Sequence, residues 1–146
     1  MSTALMCVDR IDAWEPRKRI SASKAISMEE EYFRDHFPYF PVLPGVLIIE
    51  VGVQLTSWLI GASSGFSHAG TLEKVLVFRF SRPAQPGCSL SLCVDCPEWS
   101  DERLRVRAKA GTDEGPCAAG ELIVRVGTAR DPASLQAEFE RMRVAG

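Results

Sequence analysis

The stretch from Asp35 to Leu59, DHFPYFPVLPGVLIIEVGVQLTSWL, decides how the rest of this chain is read. Its first half is a loop punctuated by Pro38, Pro41 and Pro44, and its second half, from Gly45 to Ile60, is nearly all apolar. Pro44-Gly45 predicts a helix start, because a first turn tolerates proline where its missing N–H costs nothing. Gly61 predicts the end. Inside this apolar run sit one carboxylate, Glu50, and one amide, Gln54, four residues later on the same helical face. An ionisable group within a buried helix is costly unless something compensates it, which singles it out.

Working outward, Leu5–Ile11 and Lys18–Ile26 alternate apolar and polar residues and predict an antiparallel hairpin turning through Asp12–Arg17. Ile20, Ala22 and Ile26 are its inward candidates. Ser27–Arg34 is short and acidic and suits a single helical turn. After the long helix, GASSGFSHAG reads as a loop through Gly70. Strands are expected at Leu72–Phe80, Ser89–Asp95, Arg103–Ala110 and Ala118–Val126, joined as an antiparallel meander. Pro132–Val144 predicts a short polar helix with Leu135, Phe139 and Met142 along one side. Two strands, one long apolar helix and four strands make an α+β chain of one domain across residues 1–146. Such a helix has apolar residues nearly all round. A sheet curled about it, or two subunits packed together, would hide them.

Composition narrows the function. With 146 residues the chain can bury a real core, and its net charge of -2 offers no general attraction to nucleic acid. The N-terminus lacks the basic start and apolar core of a secretory signal. The apolar run falls short of the ~20 residues of a membrane span and carries a carboxylate, so a core helix is expected. Five cysteines, an odd number, point to reduced thiols in a cytoplasm. Cys93 and Cys96 have the spacing of a zinc half-site, but no second half-site follows. In a strand, residues three apart face opposite sides. No metal and no cofactor is expected.

The chemistry-bearing residues are therefore few. Val46, Glu50, Gln54 and then Ser57 or Trp58 share one helix face, whereas Leu47, Val51, Leu55 and Leu59 belong to the core side. Burial among apolar neighbours would raise the Glu50 pKa and suit it to act as a general acid, with Gln54 hydrogen-bonding and orienting its carboxyl. The other reading of Glu50 is a structural carboxylate paired with an arginine or held by the sheet. His36 is one of two histidines, and the prolines around it would restrain an imidazole for proton transfer. A lone loop histidine is more often simply surface, as His68 is expected to be. Gly45, at the positive end of the helix dipole, offers an amide without an intrahelical partner, which suits a developing oxyanion. No phosphate loop, Ser/His/Asp pattern or dinucleotide fingerprint is present. Acid–base chemistry beside a carbonyl is what remains.

HFPYFPVLPGVLIIEVGVQ resembles the signature of the bacterial 3-hydroxyacyl-[acyl-carrier-protein] dehydratases, roughly HFPGxPxxPGVLxxEAxxQ. His36, Phe37, Pro38, Pro41, Pro44, Gly45, Val46, Leu47, Glu50 and Gln54 stand in register with it. CVDRIDAWEPRKRISASKAIS and FRFSRPAQPG resemble the family's first hairpin and the strand after its helix. The resemblance implies a hotdog fold, an antiparallel sheet wrapped around one central helix, and two subunits pairing their sheets side by side. It implies His36 and Glu50 as catalytic residues from different subunits, Gly45 as oxyanion donor, and Phe37, Tyr39, Val46 and Gln54 around the substrate. The substrate would arrive on the phosphopantetheine arm of acyl carrier protein, with Arg17, Lys18, Arg19, Arg79 and Arg82 as candidates for a basic docking rim. Glu rather than Asp at position 50 favours the dehydratase-only branch. The alternatives are a non-catalytic hotdog subunit pairing with an active dehydratase, which would make a hetero-oligomer with another hotdog subunit, and a hotdog acyl thioesterase.

Two departures stand out. Tyr39 replaces the family's usual glycine and makes the loop, with Phe40, more aromatic. The loop after the helix looks short, leaving Phe66 as a remnant of the usual aromatic flap.

Overall fold

The computed structural model describes residues 8–26, 45–85 and 87–143. The expected turn at Ser27–Arg34 and the loop carrying His36, Phe37 and Tyr39 lie outside the described residues. Six strands, β1 (Arg10–Glu15), β2 (Arg19–Ala25), β3 (His68–Phe80), β4 (Ser89–Asp95), β5 (Arg103–Thr112) and β6 (Gly115–Thr128), accompany two helices, α1 (Gly45–Ser63) and α2 (Pro132–Met142). They form one antiparallel sheet in the order β1-β2-β4-β5-β6-β3. The helix-wrapping sheet is thus as expected, but the meander is confined to β4-β5-β6. α1 carries the chain from β2 across the sheet, so β3 pairs with β6 at the far edge rather than with β4.

Several boundaries move. The first strand covers Arg10–Glu15, including Trp14, where a turn was expected. Its side chains explain this: Ile11 and Trp14 pair across β2 with Ala22 and Ile20 and pack on the core. α1 runs past Gly61 to Ser63, and β3 begins at His68, which shortens the expected loop to four residues, Ser64–Ser67. Gly61 does not stop the helix. It gives α2 close access, since a Cβ there would lie 2.9 Å from Leu135 Cδ2. The chain reverses one turn later, where Gly65 and Phe66 adopt positive φ and Phe66 N–H donates to the Gly61 carbonyl at 2.7 Å.

The core lies between the sheet and one side of α1. Leu47, Val51, Leu55 and Leu59 are buried as predicted, against Ile20, Ala22, Leu90, Leu92, Leu104, Val106, Leu122 and Val124. Gly52 faces Ala108 and Leu122 and brings helix and sheet close. By length and hydropathy α1 would suffice to cross a bilayer, longer than the run anticipated from sequence, yet its sheet-facing side is buried in protein. Ion pairs such as Arg105–Glu121 (2.6 Å) and Arg103–Glu73 (3.0 Å) decorate the strands at exposed positions, where each contributes little.

β3 departs from strand alternation. Register shifts between Leu72 and Lys74 and between Val75 and Val77 rotate successive side chains out of phase. Leu72, Val75, Leu76, Val77 and Phe80 all remain exposed along this edge strand.

Candidate active site

Among the described residues, the side of α1 turned away from the sheet is left uncovered. Val46, Ile49, Glu50, Val53, Gln54, Ser57 and Trp58 line an open groove of about 410 Å³ with Gly70 and Leu72 of β3 and Leu135 and Glu138 of α2. The helical period places this row in line, and Val46, 67 % exposed, marks the open end. The groove is mostly apolar, with Glu50, Gln54, Ser57 and Glu138 as its polar members. Val46, Glu50, Gln54 and Trp58 therefore come together as the sequence predicted.

Two details differ from expectation. Glu50 is half-buried rather than enclosed, because none of the described residues covers this side of α1. Among the described residues it has no ion pair or hydrogen bond. Gln54 does not orient it either. Gln54 Oε1 is buried and lacks any hydrogen-bond partner. A desolvated acceptor of that kind costs about 1–3 kcal/mol, and native proteins leave few of them outside functional sites. Ser57, one turn on, is occupied: its Oγ accepts from Gly70 N–H at 3.0 Å and ties the groove floor to β3.

Gly45 opens α1 with the ring of Phe80 against it. A Cβ at Gly45 would sit 2.6 Å from Phe80 Cε1, so the absence of a side chain lets β3 meet the helix start. The first turn of α1 contains no acidic side chain to set against the positive end of its dipole. Arg79, near the end of β3, lines a hollow on the outer face of the sheet with Arg107, Lys109 and Glu121, and Arg82, two residues past the strand, reaches Glu114 at 4.0 Å. Arg17, Lys18 and Arg19 sit instead at the β1–β2 turn, on the opposite edge, where Lys18 and Arg19 pair with Glu15. Within one chain the five basic residues therefore do not form a single rim.

Phe66 is not a flap. Half-buried, it packs against Phe139 with ring centroids 5.6 Å apart, and Trp14 meets the same ring edge-on at 5.3 Å. The sequence reading missed what this cluster holds in place: Leu135 and Glu138, the groove's closing residues. Trp58 carried the available signal, since a buried indole N–H needs an acceptor. That acceptor is Glu138 Oε1, at 3.2 Å. Cys93 and Cys96 behave as strand geometry requires, half-buried and buried respectively, with Sγ contacts to Asp95 and to the Glu98 carbonyl.

Comparison with known proteins bears on this arrangement. The FabA-like domain model matches residues 2–124. The chain is 33 % identical over 128 residues to a protein of Levilactobacillus brevis named 3-hydroxyacyl-[acyl-carrier-protein] dehydratase FabZ, covering 87 % of this chain and 86 % of that one. Among solved structures, the dehydratase heterocomplex ApeI:P from Xenorhabdus doucetiae aligns with TM-score 0.63 at 20 % identity, over 77 % of this chain and 92 % of that one. A hot-dog-like protein from Thermanaerovibrio acidaminovorans aligns with TM-score 0.65 at 15 % identity, over 90 % and 96 %. At those identities the structural likeness establishes the hotdog fold.

Proposed function

Because the chain belongs to the FabA-like domain family, we propose that it dehydrates 3-hydroxyacyl thioesters carried on acyl carrier protein to trans-2-enoyl thioesters, a step of fatty-acid or related acyl biosynthesis. The observation that carries this reading is Glu50: a carboxylate without an ion-pair partner among the described residues, half-buried in an apolar groove at the family motif's acid position.

Glu50 would protonate the departing C3 hydroxyl while His36 removes the proton from C2. The C2–H pair becomes the C2–C3 double bond, the C3–O pair leaves with its proton as water, and one proton passes back from His36 to Glu50 through solvent. Atoms and charge balance without oxidant or metal, so no cofactor enters. Charge accumulates on the thioester oxygen in the transition state. The amide of Gly45 at the N-terminus of α1, whose first turn holds no acidic side chain, would donate to it.

A second copy of the chain completes this site. The uncovered face of α1 and the apolar β3 edge adjoin one another, and pairing two β3 strands would extend the sheet and bury both. In that dimer His36 of one subunit would meet Glu50 of the other. Phe37, Tyr39, Val46 and Gln54 would border the acyl group. The phosphopantetheine arm would enter near Phe80, where Arg79 and Arg82 suit an acidic carrier protein. Free thiols at Cys88, Cys93, Cys96 and Cys117 fit a cytoplasmic site of action.

The test is hydration of crotonyl and longer enoyl thioesters by the purified protein, followed by loss of enoyl absorbance. His36→Ala and Glu50→Gln should each lower kcat by roughly 10²–10⁴. Full activity in either variant overturns the assignment.

A further inference from the structure

We infer that α2, the C-terminal helix lying beyond the FabA-like match, is an acyl-length gauge, in which Leu135 and Glu138 wall off the far end of the groove and limit the acyl chains it accepts. This inference rests on the dehydratase reading for the identity of the ligand, but its geometry belongs to this chain alone.

The groove has an asymmetric shape. Among the described residues it is open at Val46, which is largely exposed, and meets α2 at Trp58. Between Glu50, where C3 of the substrate would lie, and Trp58, the helix advances eight residues, roughly 12 Å at 1.5 Å each. A carrier protein must stay at the open end, so the acyl tail runs toward the closed one. There the tail meets a half-buried carboxylate held by the Trp58 indole N–H. An alkyl chain pushed past that point would strip water from Glu138 and break its hydrogen bond, both unfavourable.

The wall is anchored rather than loosely apposed. Phe139, 1 % exposed, inserts into the core beside Trp14 and Phe66. Leu135 packs over the notch left by Gly61. Asp131 caps the helix by accepting from Ser134 N–H at 3.1 Å, and Arg143 forms a bridge to Ile11 of β1. Phe139, Leu135 and Arg143 attach the capped helix to the rest of the protein, so a long acyl chain would have to displace a packed helix rather than a mobile tail.

The experiment measures binding and turnover separately, with 3-hydroxybutanoyl-, 3-hydroxyoctanoyl- and 3-hydroxyhexadecanoyl-pantetheine as probes, on wild type, Leu135→Ala and Glu138→Ala. Wild type should bind the octanoyl probe at least about tenfold more tightly than the hexadecanoyl one. Either variant should shrink that ratio several-fold, read by calorimetry as Kd and by turnover as kcat/KM. A wild-type affinity for the hexadecanoyl probe equal to or better than that for the octanoyl one overturns the gauge, and that comparison needs no variant to fold. An unchanged ratio in both folded variants overturns it too. Binding with the expected cutoff but no turnover of any probe would remove the dehydratase reading and leave the gauge standing.

Discussion

The indole N–H of Trp58 donates to Glu138 Oε1 at 3.2 Å, joining the central helix to the C-terminal helix across a sequence separation of 80 residues. Trp58 is 2 % exposed, so its N–H has little recourse to solvent if the acceptor is lost. Trp58→Phe keeps the aromatic packing and removes the bond. The expected cost is about 1–2 kcal/mol in urea denaturation, together with a weakened length cutoff.

Two glycines that look alike in sequence should respond oppositely to alanine. At Gly52 a Cβ would meet Ala108 and Leu122 at 3.5 Å, ordinary contact distance. Gly52→Ala in mid-helix should therefore stabilise the protein by up to ~1 kcal/mol. At Gly120 a Cβ would overlap both the Val77 carbonyl oxygen and the Phe78 ring. The carbonyl is backbone of the paired strand and cannot turn aside, so Gly120→Ala should cost ~2 kcal/mol or more. Thermal melts of the two variants, moving in opposite directions, check the pair.

Asp131→Ala removes the N-cap of α2 and should destabilise by about 1 kcal/mol. Asp131→Asn, which retains the acceptor oxygen, should lose much less. Because α2 closes the groove, local hydrogen exchange at Leu135–Phe139 should rise in the alanine variant before global stability falls.

Burial, reinforced by the Asp95 charge, pushes the Cys93 thiol upward against the opposing charges of Arg19 and Lys109, and burial raises Cys96 as well. A thiol whose folded pKa lies above its unfolded value binds its proton more tightly when folded. Its stabilising contribution is complete below the ordinary thiol range and disappears as pH rises through the folded value. Stability should consequently fall on the alkaline side, and Cys93→Ala should flatten that fall in denaturation curves recorded across alkaline pH. Slower alkylation of Cys93 than of free cysteine near neutrality is the accompanying sign.

Val77→Lys places a charge on the exposed apolar edge of β3. Charge on an edge strand opposes sheet extension, so sedimentation should show a dimer weakened by at least about tenfold. Activity should fall with it while the far-ultraviolet circular dichroism stays native. A dimer of undiminished affinity would place the subunit contact elsewhere.

Much of the core was legible because one periodicity governs it. Leu47, Val51, Leu55 and Leu59 recur at helical spacing, and all four are buried against strands whose alternation was equally plain. Glu50 and Gln54 were conspicuous by their setting in an apolar run. The same reading failed on β1, where Trp14 and Pro16, two residues on, suggested a turn, although pairing with β2 extends the strand through Glu15. Local sequence could not weigh that pairing against turn chemistry.

The sequence by itself determined the sheet-and-helix composition, the motif that places the chain in its family, and the helical face on which Glu50 lies. Periodicity and residue type are local properties that suffice for these. Tertiary structure alone decided that β3 crosses to the far edge beside β6, that Gln54 Oε1 is left without a donor, and that α2 closes the groove through Glu138. Each depends on which distant segments meet, and a polar atom acquires its partner, or lacks one, only when the chain has packed around it.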